Sequence, residues 1–137
     1  MWIVILVLTL LAAHLNLTAI VPAPAGQAAP PWWTGGWLLW PFSADTRTLL
    51  PPGAALDTLT PMLGIAAGVC FLLAAASLLR WLVPATWFKW LIIAGAICSI
   101  VLQVIWISPW AVLPLLVDAA LLWAVLGMHL TVASLRG

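Results

Sequence analysis

Charge is what this chain has least of. Its 137 residues include four Lys or Arg and three Asp or Glu, so charged side chains make up 5% of the total; an ordinary soluble domain carries about 25%. Tyrosine is absent altogether. So little polar surface cannot cover a water-facing exterior, which excludes a soluble globular domain. The formal net charge is +1 and there is no basic run to neutralise a row of phosphates, which excludes nucleic acid as a partner. Cys70 and Cys98 sit inside apolar runs and form no CxxC, so they indicate neither a thiol motif nor a redox compartment. There is no nucleophile–base pair, glycine-rich phosphate loop, paired carboxylate or metal-ligand cluster, so no catalytic residue, metal or cofactor is assigned.

What remains is hydrocarbon. Hydrophobic residues make up 66% of the chain, against about 45–50% in soluble domains. A bilayer core of about 30 Å takes about 20 apolar residues in a helix rising 1.5 Å per residue. Four stretches qualify: 1–21, 58–80, 88–107 and 110–132. Apart from Arg80 and Lys89 near span ends, the one charged side chain in them is Asp118. Each is expected to be helical, because backbone amides in lipid must pair within their own segment. The predicted fold is therefore an all-α, four-helix antiparallel membrane bundle forming a single domain over 1–137, with a long loop at 22–57.

The breaks between spans fit this scheme. Thr58 or Thr60 followed by Pro61 predicts a hydroxyl N-cap with proline in the first turn of the second span. Pro84 separates the second and third spans. Ser108-Pro109 alone separates the third and fourth, which predicts a tight hairpin. Pro114 predicts a slight bend early in the fourth.

Orientation follows from Lys and Arg near the span ends. With four spans both termini share one side, which would carry Arg80, Lys89 and Arg136; the other would carry Arg47. The bias predicts both termini in the cytoplasm and the long loop outside, with the inner membrane of a bacterium as the expected location. The eleven tryptophans agree with this frame. Trp2, Trp81, Trp87 and Trp90 fall at the proposed inner boundary and Trp106 and Trp110 at the outer one, where an indole is half dry and its N–H can bond. Trp123 alone falls mid-span. A competing reading makes residues 1–29 a cleaved signal peptide. The missing basic n-region and the long apolar stretch favour retention as a span.

The 22–57 loop holds seven of the eleven prolines and cannot be one regular helix. It also holds Trp32, Trp33, Trp37 and Trp40. On a helix these four would fall within an arc of about 140°, which suits a short segment lying flat on the outer leaflet. A lid over the mouth of the bundle and a partner-protein contact are the other readings; lipid anchoring or a lid is preferred, since Trp favours membrane interfaces.

Asp118 is the most informative residue, because a charge inside a span is costly and faces the protein interior. It sits eight residues into the fourth span, about 12 Å below the outer boundary. Helical rise places His14, Asn16, Ser99 and Gln103 at similar depth. These five residues are predicted to form one polar layer. Three readings compete for it. The first is structural glue, with Asp118 neutral or paired with His14 and bonded to Ser99 or Gln103. The second is a binding site for a quinone, lipid or other apolar molecule with one polar end. The third is proton or cation handling. Glue is preferred, because interhelical hydrogen bonds of about 0.6 kcal/mol are ordinary in membranes.

Gly64-x-x-x-Gly68 allows close helix approach, expected within this chain rather than between copies. Cys70 and Cys98 read as small packing residues. His129 reads as a headgroup-level side chain.

The arrangement resembles the DoxX-like small membrane proteins: four helices, a tight last hairpin, and a final helix reading LLVDAALLWAVLG at 115–127. The resemblance covers the spans but not the Trp/Pro loop. It implies a membrane subunit or partner in redox or quinone-linked processes, and carries over no catalytic residue. The expected function is a non-catalytic accessory or scaffold subunit of a larger membrane assembly. The alternatives are a quinone- or lipid-binding bundle using the layer around Asp118, and a proton or ion carrier.

Overall fold

A computed structural model describes residues 1–21, 36–42 and 46–137. The chain is all-α in its main elements. Helix α1 (Trp2–Leu17) runs on into a 3-10 turn at Thr18–Ile20. Helix α2 is Ala54–Leu78, and α3 is Phe88–Ile105 with a 3-10 turn before it at Ala85–Trp87. Helix α4 (Val112–Leu122) follows a 3-10 turn at Pro109–Ala111 and ends in a π-helical turn, Trp123–Gly127. A short α5 (Val132–Arg136) closes the chain. With their end turns, the first four give apolar stretches of 19, 25, 21 and 19 residues, long enough to cross a membrane.

α1 packs against α2 and α4, and α3 packs against the same two helices. The faces turned away from these contacts are apolar: Ile3 and Val7 on α1, Met62 and Ile65 on α2, Ile97 and Val104 on α3, Val112 and Leu116 on α4 are all exposed. Water would not tolerate so much contiguous hydrocarbon, whereas lipid tails would. Because lipid is as apolar as leucine, contact between helices must come from close fit. The interior is accordingly rich in small residues, Ala12, Ala13, Ala67, Ala74 and Ala96 among them, packed around Phe71, Ile92 and Leu121.

The glycines of α2 are used within the chain. A Cβ on Gly64 would stand 2.8 Å from the Asn16 carbonyl oxygen and 3.0 Å from the Ala19 Cβ, and one on Gly68 would strike the Leu17 side chain. Gly95 of α3 takes the edge of the Phe71 ring in the same way.

Four boundaries differ from the sequence expectation. Helix α2 begins at Ala54, a turn before the predicted Thr58/Thr60 cap, and Pro61 lies inside it. Thr58 does not cap; its hydroxyl donates to the Ala54 carbonyl at 2.8 Å. Burial of Leu56 rewards the extra turn, and the carbonyl that Pro61 leaves without its helical donor belongs to exposed Asp57. Helix α3 stops at Ile105 rather than 107. Trp106–Ile107 is instead a strand, β2, paired antiparallel with β1 (Arg47–Thr48), Arg47 opposite Ile107 and Thr48 opposite Trp106. The 3-10 turn at Pro109–Ala111 then precedes α4, with the Ser108 hydroxyl accepting from the Trp110 N–H at 3.1 Å.

The fourth apolar run is not one helix to 132. It ends at Gly127, and His129 adopts a left-handed conformation, φ 51°. That reversal lets the Leu130 N–H reach the Ala124 carbonyl at 2.9 Å and folds Leu130, Val132 and Leu135 into the core. Trp123 therefore lies one turn from the helix end. At this same end the Arg136 guanidinium donates to the Leu78 carbonyl at 3.2 Å and lies 4.8 Å from the Trp2 ring centroid, a cation placed where the last carbonyls of α2 need donors.

Candidate functional site

Nine polar side chains are buried among the described residues, and they divide by how they are satisfied. Thr9 donates to the Ile5 carbonyl at 2.6 Å and Thr18 to the Leu15 carbonyl at 2.7 Å. Such back-bonding within one helix leaves nothing over for function. Asn16, Ser99, Gln103 and Asp118 are different. Each is 4% exposed or less, and together they hold six polar atoms with no hydrogen-bond partner in the protein: Asn16 Oδ1, Ser99 Oγ, both terminal atoms of Gln103 and both carboxylate oxygens of Asp118. The amide nitrogen of Asn16 alone is used, donating to the Ala12 carbonyl at 2.9 Å.

Neighbouring contacts relate these four residues in pairs. Gly64 brings α2 against Asn16 on one side and Leu102 on the other, so Asn16 and the neighbour of Gln103 share a height. Ser99 lies one turn from Gln103 on α3, on the same face. Ser99 is in turn the hydrogen-bonding neighbour of the Asp118 carboxyl across the α3–α4 contact, in a geometry that falls outside the usual limits of a closed bond.

His14 is not among them. It lies on the exposed stripe of α1 with Ile3, Val7 and Leu10, and its ring meets Trp40 edge-on, centroids 5.2 Å apart. The predicted pairing of His14 with Asp118 does not form. Depth alone allows it, but Asn16, two residues on and about 200° round the helix, points inward in its place.

A roof covers the layer. Phe42, 2% exposed, packs with Ala19 and Leu102, and Trp106 meets it edge-on with centroids 6.3 Å apart. The Trp106 indole N–H donates to the Thr60 hydroxyl at 2.8 Å. The β1–β2 pairing and a Leu49 N–H to Ile105 carbonyl bond of 2.9 Å tie the loop to the end of α3. Trp37 and Trp40 are half-buried against the helices, and Gly36–Leu39 is a 3-10 turn rather than part of an α-helix. Trp32 and Trp33 lie outside the described residues. Beside the roof a groove of about 200 Å³ runs between Ile20, Leu56, Thr60, Pro61 and Trp106, with Asp57 on its wall.

Thr60, Phe42 and Trp106 were not legible as parts of this site. From sequence Trp106 is an interface marker, and its bond to Thr60, 46 residues away in sequence, has no local signal. Trp106→Phe keeps most of the buried ring and removes one interhelical hydrogen bond, so it should lower stability by about 0.6 kcal/mol, and no more than about 1.7. Thr60→Val should cost a similar amount and the double variant no more than either. Additive effects in detergent unfolding would refute the bond.

Chemically the layer offers oxygen acceptors on Asp118, Asn16 and Gln103 and donors on Gln103 and Ser99. Each buried polar group without a partner costs about 1–3 kcal/mol, which sets these residues apart from the other buried polar side chains. Among the described residues no three His, Cys, Asp or Glu side chains converge on a metal site. Cys70 and Cys98 are free. Comparison with protein-family models, curated proteins and solved structures finds no match to this chain.

Proposed function

We propose that this chain is a four-span antiparallel membrane bundle that binds the polar end of an otherwise apolar molecule, of the quinone or lipid class, in the layer formed by Asn16, Ser99, Gln103 and Asp118. One observation carries the reading: six polar atoms, contributed by three helices, are buried without a protein partner. Thr9 and Thr18, by contrast, spend their hydroxyls on carbonyls of their own helix. The roof of Phe42 and Trp106 supplies the apolar half of such a site. The resemblance of 115–127 to the DoxX-like proteins, were this chain one of them, would point the same way. The cationic end bearing Arg80, Lys89 and Arg136 then faces the cytoplasm, and the layer lies in the outer half of a bacterial inner membrane.

Quantifying quinones and lipids that survive purification in mild detergent tests this. Asp118→Leu, which removes the acceptor and fills the space, should lower the retained amount per protein about tenfold, the worth of about one hydrogen bond. Asp118→Asn, which keeps a polar tip, should lower it less. Equal content in wild type and both variants would end the proposal.

An accessory-subunit role draws on a different feature. The outer face of α4 and its π-helical turn forms a shallow apolar trough of about 460 Å³ between Ala119, Leu122, Trp123, Leu126 and Gly127, shaped to take a helix of another membrane subunit. Such a subunit should co-purify with wild type and be lost with Ala119→Trp; a lone monomer in both cases removes this second reading.

A further inference from the structure

At the opposite end of the molecule from the polar layer lies a second recess, of about 310 Å³. Its walls come from the turn entering α3 and from α5: Thr86, Phe88, Lys89 and Trp90 on one side, Thr131 and Val132 on the other. We propose that this recess binds the headgroup of an anionic phospholipid, with the Lys89 ammonium on the phosphate.

Charge is the first argument. Among the described residues the acidic side chains are Asp57, in the first turn of α2, and Asp118, in the polar layer. Neither belongs to this end, while Arg80, Lys89 and Arg136 all do. Arg136 is engaged by the Leu78 carbonyl and Trp2. Lys89 is half-buried, has no acidic partner among the described residues, and stands only 6.0 Å from the Trp90 ring centroid, a contact worth about 0.5–1 kcal/mol at an exposed site. Its charge is available to a ligand.

Position and shape are the second. The recess opens where a membrane-spanning segment, Ala85–Ile105, begins, which is headgroup level for any chain that crosses the bilayer. Exposed Trp87 and Trp90 flank it, as interfacial indoles do. Its composition matches a lipid more closely than a free anion. Phe88, Val132 and Ala133 give it apolar walls for the glycerol and upper acyl carbons, while Lys89 and the hydroxyls of Thr86 and Thr131 provide the polar contacts.

Native mass spectrometry of the full chain, exchanged into mixed micelles holding equal phosphatidylglycerol and phosphatidylcholine, tests the proposal. Wild type should keep one phosphatidylglycerol in preference to phosphatidylcholine, whose phosphate is neutralised by its own choline, by about fivefold, the effect of one cation on one net negative charge near a membrane surface. Lys89→Gln should abolish the preference. Ala133→Trp, which fills the recess and leaves the charge unchanged, should abolish it too. Arg80→Gln removes an equal charge outside the recess and should leave it intact. No preference in wild type, equal reductions from Lys89→Gln and Arg80→Gln, or a preference that survives Ala133→Trp would each overturn the site. Displacement of the lipid by millimolar inorganic phosphate would overturn it in favour of a soluble anion.

Discussion

Replacing Gly64 with leucine is expected to separate α1 from α2 and leave the protein without its native packing. A single added carbon already meets the Asn16 carbonyl oxygen at 2.8 Å and the Ala19 Cβ at 3.0 Å. Neither neighbour can rotate away, since one is helix backbone and the other is fixed to it. Gly64→Ala should therefore cost about 1–3 kcal/mol, the usual range for overpacking, and Gly64→Leu more. Displacement of α1 at this level also moves Asn16 out of the polar layer, so ligand retention should fall with stability. Gly68→Ala is the informative comparison. The obstacle there is the half-buried Leu17 side chain, which has other rotamers, and the cost should be smaller. Ile65→Leu, on the exposed face, should be neutral. Unfolding followed by circular dichroism in detergent ranks the four variants. If Gly64→Leu matched Ile65→Leu, the close approach of α1 and α2 would be refuted.

Phe71→Ala should be the most damaging truncation. The ring is fully buried and fits against Gly95, whose missing Cβ would lie 3.1 Å from it. In a soluble core this change costs about 3–5 kcal/mol. In a membrane the transfer component shrinks, because an unpacked helix still offers its side chains to lipid. The forfeited dispersion attraction between the ring and the atoms around it does not shrink. The lower end, about 3 kcal/mol, is expected. Filling the cavity from the other side with Gly95→Ala should recover part of the stability, a non-additivity that contact between the two positions requires. Leu72→Ala, exposed, supplies the reference. A Phe71→Ala cost no greater than that reference, or strict additivity with Gly95→Ala, would refute the packing described.

The span count was legible because it depends on transfer of whole segments between water and lipid, a sum in which individual errors average out. Termini of spans were less so. At 110–132 the hydropathy is continuous, yet Gly127 and left-handed His129 break the helix, because Leu130, Val132 and Leu135 bury more surface by turning back than by extending. At 54–60 the reverse happens. Proline suggests a start, and burial of Leu56 extends the helix through it.

The polar layer divides in the same manner. Helical rise assigns similar depths to His14, Asn16, Ser99, Gln103 and Asp118; of the five, the last four are buried and His14 is exposed. Depth is a property of one helix, counted at 1.5 Å per residue. Rotation is a property of two, since it depends on which face a neighbour covers. Composition and periodicity alone therefore determined that this protein has four apolar helices long enough to cross a membrane, with one acidic side chain inside them. Only the tertiary structure decided that His14 turns outward to Trp40, that Phe42 and Trp106 close the layer, and that Gly64 rather than a bulky residue sets its width. Those outcomes rest on contacts between residues up to 46 positions apart, and no local pattern encodes the angle at which two helices meet.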